Sequence, residues 1–193
     1  HAVDRWFERE PLDSPQALAR LEHRFRASEH LRDISVALAE ELARALHAKS
    51  VRVLLLAEDG ASLVALDGAM APIPRSSVLL DLLQTTRSEI HLDARSAIAR
   101  LLPEADQEWL LDAGAELVAP LIGSSGTLLG IVAIGEGAAR LPYTVGHVAL
   151  VTTMCGHAAM QIENRWLRQA SEEPGRRPVA PAGGVAWQDE PAA

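Results

Sequence analysis

Residues 115–136 read AELVAPLIGSSGTLLGIVAIGE. Two apolar runs, 115–123 and 127–136, flank Ser124-Ser125-Gly126, and a short polar turn between such runs predicts a β-hairpin. Pro120 has no N–H to give to a ladder, which favours an edge or a bulge in the first strand. Upstream, VRVLLLA (51–57), the turn signal Glu58-Asp59-Gly60 and SLVALDG (62–68) predict a second hairpin. Two hairpins make an antiparallel sheet, with 51–57 expected beside one strand of the 115–136 pair.

Around these strands lie helices. From Ser14 or Pro15, Leu18, Leu21, Phe25, Leu31, Ile34, Leu38, Leu42 and Leu46 recur mostly every three or four residues, the spacing of one helix face. Ser28 interrupts that stripe and marks a break or kink. Residues 69–74, with Pro72 and Pro74, read as an irregular connection. Ser76 or Ser77 can cap a short helix, SVLLDLLQTT. EIHLD (89–93) reads as a short strand. Residues 95–102 and 104–113 read as helices separated by Pro103, and Gly114 ends the second. A last helix is expected from about Thr144 to Ala170. The fold class is therefore α+β, with the long N- and C-terminal helices covering one face of the sheet. Residues 1–14 and 171–193 read as linkers, the second rich in Pro, Gly and Ala, so the folded unit is expected at 15–170.

The 193 residues are 48% apolar but only 4% aromatic, which predicts an aliphatic core. A net charge of −8 and scattered arginines exclude a nucleic-acid surface, which needs clustered basic residues. The single cysteine, Cys155, excludes an internal disulfide framework and fits a reducing cytoplasm. No apolar run is long enough to span a bilayer. The chain starts at His1 rather than Met, as expected of a fragment. Gly123, Gly126 and Gly130 are turn and strand glycines without the following Lys of a phosphate loop, and Lys49 is the only lysine. His147 and His157 are ten apart and cannot chelate one ion from a regular helix. His23 and His30 read as solvated. His91 reads as a surface residue, although a single His suffices for haem. No metal ligand and no catalytic residue is assigned, and no cofactor is identified.

The segment AELVAPLIGSSGTLLGIVAIGEGAARLPYTVGHVALVTTMCGHAAMQIENRWL resembles a GAF domain. The resemblance rests on Val118 to Leu121, on Leu128 to Gly130, and on the terminal helix from Ala158 to Leu167. The helix LRDISVALAEELARAL before VRVLLLA also fits, so the likeness covers roughly residues 28–170. It implies a sensory module of a bacterial signalling protein, with an output domain such as a kinase, phosphatase or cyclase attached elsewhere. It also implies a ligand pocket between the sheet and the helical middle segment. The positions in question are Arg75, Ser76, Ser77, His91, Asp93, Arg95, Trp109 and Glu116. Arg75, just before a helix N-terminus, would there favour an anion. The cyclic-nucleotide pattern of some GAF domains, Asn-Lys-x-n-Phe-x3-Asp-Glu, is absent. VDRWFERE near the start resembles juxtamembrane segments of membrane-anchored sensors, so a cytoplasmic domain tethered to the inner membrane stays open.

Three functions fit. The first is a non-catalytic sensor that binds a small molecule, dimerises and relays a signal. The second is a ligand-free scaffold that only dimerises its neighbour, which a filled core would favour. The third is a GAF enzyme such as a methionine sulfoxide reductase, which needs a reactive cysteine. Cys155 instead falls among Val148, Val151, Ala158, Ala159 and Ile162 on one helix face, as a buried small residue would. For the dimer, Leu18, Leu21 and Phe25 of the first helix are expected to overhang the core. Ile162 and Trp166 of the last helix complete the expected interface. A straight helix of ~29 residues from Leu18 to Leu46 would reach about 43 Å. The alternative is that this helix folds back, with Ser28 marking the bend.

Overall fold

Ile131 and Val132 are neighbours on one strand, point to opposite faces, and are both fully buried. The sheet that holds them is therefore covered on both sides. The computed structural model describes residues 14–92, 97–138 and 142–172. In chain order the elements are α1 (Ser14–Ala27), α2 (Leu31–Leu46), β1 (Val51–Leu56), β2 (Ser62–Ala65), β3 (Ile73–Pro74), α3 (Val78–Thr86), β4 (Ile90–His91), α4 (Ala97–Leu101), α5 (Glu104–Ala113), β5 (Ala115–Ile122), β6 (Leu128–Gly135) and α6 (Val145–Glu172).

The six strands form one sheet in the order β3-β2-β1-β6-β5-β4. Every neighbouring pair is antiparallel. The expected pairing of 115–123 with 127–136, and of 51–57 with one of them, is found as β5 on β6 and β1 on β6. Pro120 stands opposite Ile131 on the β6 side, while β4 reaches only Val118. Its missing N–H therefore leaves no β4 bond unmade. The residues 69–74, expected to be irregular, end in the edge strand β3. Prolines hid it, yet an edge is where a strand tolerates them.

A bulge at the hairpin end of β6 makes Leu121 pair with Gly130 and Ile122 with Leu128. It resets which residues face which side. Gly130 is obligatory there, because a Cβ would overlap the Leu54 carbonyl oxygen. This is the physical reason for the glycine in the Leu-x-Gly pattern.

One face of the sheet packs on α2 and α6 through Leu38, Leu42, Val132, Ile134, Val151, Met154, Ala158 and Ile162, and α1 lies over those two helices. The other packs on α3, α5 and their connections through Leu54, Ile131, Leu79, Leu80, Leu83, Leu102 and Trp109.

Of the two expected arrangements the straight N-terminal helix is not formed: α1 and α2 reverse at 28–30, with Ser28 at the bend. Ser28 donates its hydroxyl to the Arg24 carbonyl at 2.9 Å and its N–H to the Phe25 carbonyl, closing α1. Asp33 then accepts the His30 N–H at 3.0 Å and starts α2, as the returning half of a capping box. α1 folds back onto α2 and α6, so Leu21 and Phe25, expected to overhang, are buried in the chain's own core. Ile162, expected at a dimer surface, is fully buried as well. Leu18 and Trp166 are partly buried against the same core. Of the sequences expected to be linkers, 1–14 and 171–193, Ser14 opens α1 and 171–172 close α6, and the remainder lies outside the described residues.

Candidate functional site

The helical middle segment covers the sheet face where the resemblance implies a pocket, and apolar side chains of the described residues pack there. Leu79, Leu80 and Leu83 of α3 meet Leu54, Leu63, Val118, Leu128 and Ile131 of the sheet. The polar groups on this face bond within the fold. Ser77 is buried, caps α3 and accepts the Leu80 N–H at 3.3 Å. The buried Asp106 carboxylate of α5 accepts the Leu79 N–H at 3.0 Å, answering a second open donor at the α3 N-terminus. Trp109 is buried and donates Nε1–H to the Ala71 carbonyl at 3.0 Å.

Arg75 is turned away from the α3 N-terminus. Its guanidinium donates to the Leu128 carbonyl at 3.1 Å and to Gln84 Oε1 at 3.2 Å. Gln84 lies near the other end of α3, about 10 Å along the axis from Ser77. The anion seat expected between Arg75 and that helix end is therefore not formed. Ser76 is exposed beside it. His91 is exposed on β4, opposite Leu117. Glu116 is half-buried at the start of β5, where its carbonyl accepts the Leu92 N–H at 2.8 Å. Asp93 and Arg95 lie outside the described residues. Of the eight positions, then, Ser77 and Trp109 belong to the packed face and Arg75 to a bridge near the β5–β6 turn.

Glu116 bears instead on Tyr143. Burial, helped by the charges of Glu116 and Glu136, pushes the Tyr143 hydroxyl up to about 12. That hydroxyl donates to the Gly135 carbonyl. Cys155 is buried on the inner face of α6. Desolvation, with a smaller push from the Glu89 charge, raises its thiol to about 12, far from the thiolate that redox chemistry needs.

Three polar residues that matter most were not singled out in the sequence. Glu41 is 2% exposed and accepts from Arg20 at 3.1 Å and from Arg44, with Arg24 3.7 Å away. Its signal is a carboxylate between Leu38 and Leu42 on an apolar stripe. Gln84 and Glu163, which bond the β5–β6 turn from opposite sides, carry no such signal because each sits at an ordinary helix position. Elsewhere an open depression of about 330 Å³ runs along the end of α6, lined by Asn164, Leu167, Arg168 and Ser171. All four belong to one helix, so it is a surface groove. Among the described residues no three His, Cys, Asp or Glu side chains cluster as metal ligands. Nor is any described helix long and apolar enough to cross a membrane.

Residues 30–164 match the family model described as GAF domain. No curated protein matches the chain. Among solved structures, the GAF domain of a phosphoenolpyruvate-protein phosphotransferase from Coxiella burnetii is similar, with a TM-score of 0.61 at 17% identity. That match covers 81% of this chain and 96% of the other. The GAF domain of the potassium sensor histidine kinase KdpD from Escherichia coli gives 0.58 at 17% identity, over 82% of this chain and 99% of the other. Residues 122 to 287 of a methyl-accepting chemotaxis protein give 0.59 at 19% identity, over 78% and 99%.

Proposed function

Because the chain belongs to the GAF domain family, whose members are sensory and regulatory modules of signalling proteins, we propose that it is a non-catalytic relay module that passes conformational change to an attached output domain. The carrying observation is the apolar packing under α3. Leu79, Leu80, Leu83 and Trp109 are buried on the face where the resemblance implies a pocket, and Ser77, Asp106 and Arg75 spend their polar groups on the fold. The reading favoured here is therefore the scaffold, in which helices rather than a bound small molecule carry the signal. The unit that does this is residues 15–170, with the flanking sequences as linkers. The inert environment of Cys155 supports a role outside catalysis.

The module works as a homodimer in this reading. Its contact face is the outer side of α6, where Met160 is 51% and Leu167 60% exposed, since Leu21, Phe25 and Ile162 are already used inside one chain. A large exposed apolar residue repeated along one helix face is what a partner helix would cover.

Native mass spectrometry with absorption spectroscopy, on protein purified without added ligand, tests the ligand-free reading. The expected result is the mass of the chain alone and an absorption spectrum of tryptophan and tyrosine only. A retained small molecule at unit stoichiometry would overturn it in favour of a sensor.

A further inference from the structure

The β5–β6 turn lies at one end of the sheet, between the two helical layers, and both layers hold it. On the α3 side, Gln84 makes three bonds in the same place. Its Nε2 donates to the Gly126 carbonyl at 2.7 Å, and its Oε1 accepts the Leu128 N–H at 2.8 Å and an Arg75 N–H at 3.2 Å. Arg75 adds a bond to the Leu128 carbonyl at 3.1 Å. On the α6 side, Glu163 Oε2 accepts the Ser124 N–H at 2.9 Å, a charge-assisted bond. The turn between these ties is itself short and stiff. Gly123 donates to Thr127 O and Gly126 to Gly123 O, each at 2.9 Å.

We propose that this turn is a mechanical relay across the sheet, with Gln84 and Glu163 as its two positioning residues: a displacement of α3 reaches α6 through residues 123–128. The inference rests on the regulatory reading above and gives it a route. Elsewhere the layers are joined by apolar packing, which is not directional, and by the longer Thr152 Oγ1 to Glu89 contact at 3.4 Å, whose hydroxyl has a better acceptor in the Val148 carbonyl at 3.0 Å. The hydrogen bonds at the turn are directional and short, so they are lost, rather than stretched, when α3 shifts. α3 is in turn seated on α5 by the Asp106 bond to Leu79, so the two helices move together. The far tie has a telling position. Glu163 follows Ile162, the last fully buried residue of α6, so the turn grips the helix where it leaves the core.

Coupling between two sites is reciprocal, and that makes the relay testable without ligand or partner. The measurement is amide hydrogen exchange by NMR on the full chain, for the parent, Gln84→Ala, Glu163→Ala and Glu163→Gln. In Gln84→Ala the α6 amides after Glu163 should exchange faster, by roughly two- to thirtyfold. In Glu163→Ala the α3 amides should speed up by a similar factor. Glu163→Gln keeps an acceptor for Ser124 and should stay near the parent. The α2 amides, remote from the turn, should not change in any variant. The relay is overturned if each alanine variant affects only its own side of the sheet, or if α2 speeds up as much as the target helix, which marks general loosening. If Gln84→Ala does not fold, the α3 response to Glu163→Ala decides alone. A retained ligand in the mass-spectrometric test would change the functional reading and leave this result standing; one-sided exchange would remove the route and leave the regulatory reading standing.

Discussion

Arg20 of α1 donates Nε–H to the Glu41 carboxylate of α2 at 3.1 Å, and Glu41 is only 2% exposed at that contact. Arg24 and Arg44 complete a cationic ring around it. Burial alone would raise the Glu41 pKa. The hydrogen bonds and charges of Arg44 and Arg20 outweigh it and hold the carboxyl below its ordinary 4.5. The fold-back of α1 is thus pinned by a charge set among leucines.

Glu41→Gln should lower stability by about 1–3 kcal/mol, since it removes the charge that three guanidiniums share. The pH dependence has a definite sign. A carboxyl whose folded pKa lies below its unfolded value contributes fully above the unfolded value, and the contribution vanishes as pH falls through the folded one. The gap between parent and Glu41→Gln in urea midpoint should therefore be constant from about pH 7 to 5 and close at pH values below 4.5.

The burial of Leu21 and Phe25 separates two kinds of helix-face substitution. Leu21→Lys with Phe25→Lys should cost about 3 kcal/mol or more, by placing charges in the core. Met160→Lys with Leu167→Lys should leave the unfolding midpoint nearly unchanged when parent and variant are compared at a concentration low enough to dissociate the parent dimer. Light scattering at tens of micromolar should show a dimer for the parent and a monomer for this second pair. A parent that is already monomeric removes the α6 interface.

Gly130→Ala forces a methyl group onto the Leu54 carbonyl in the middle of the sheet, where backbone cannot yield cheaply. A loss of about 2–3 kcal/mol is expected in chemical denaturation. Gly156→Ala is the control: its Cβ would meet nothing within 4 Å on the exposed side of α6, and the change should stabilise by up to about 1 kcal/mol.

Cys155 should react with a maleimide at neutral pH only through opening of the fold, because it is buried and its thiol is pushed up to about 12. Labelling should be slow in buffer and accelerate steeply across the urea transition. Fast labelling of the native chain would show that α6 leaves the sheet readily.

The α+β class and the strands other than β3 were legible, chiefly because two hairpins announce themselves through turn residues between apolar runs. Gly130 was legible as a pattern, and its cause came only with the neighbouring strand. The fold-back and the place of Arg75 were not readable, for a common reason. The stripe from Leu18 to Leu46 fits one long helix or a folded pair equally well, and the choice is made by Ser28, Asp33 and the ring around Glu41. Likewise Arg75 stands in sequence beside a helix N-terminus, yet its long side chain reaches Gln84 and Leu128. Local spacing does not tell where a flexible side chain of that length will find an acceptor.

Every residue of β6 is buried, and the strand forms part of the wall of both cores. Neither core can melt alone, since withdrawing the helices from one side exposes β6 and loosens the ladder that the other side packs against. Two hydrophobic clusters should therefore give one calorimetric transition, with van't Hoff and calorimetric enthalpies in agreement. Unfolding that begins at α1 would stay local, because its loss uncovers only the outer surface of α2 and α6. The domain is built to fray at its first helix and to break as a single unit everywhere else.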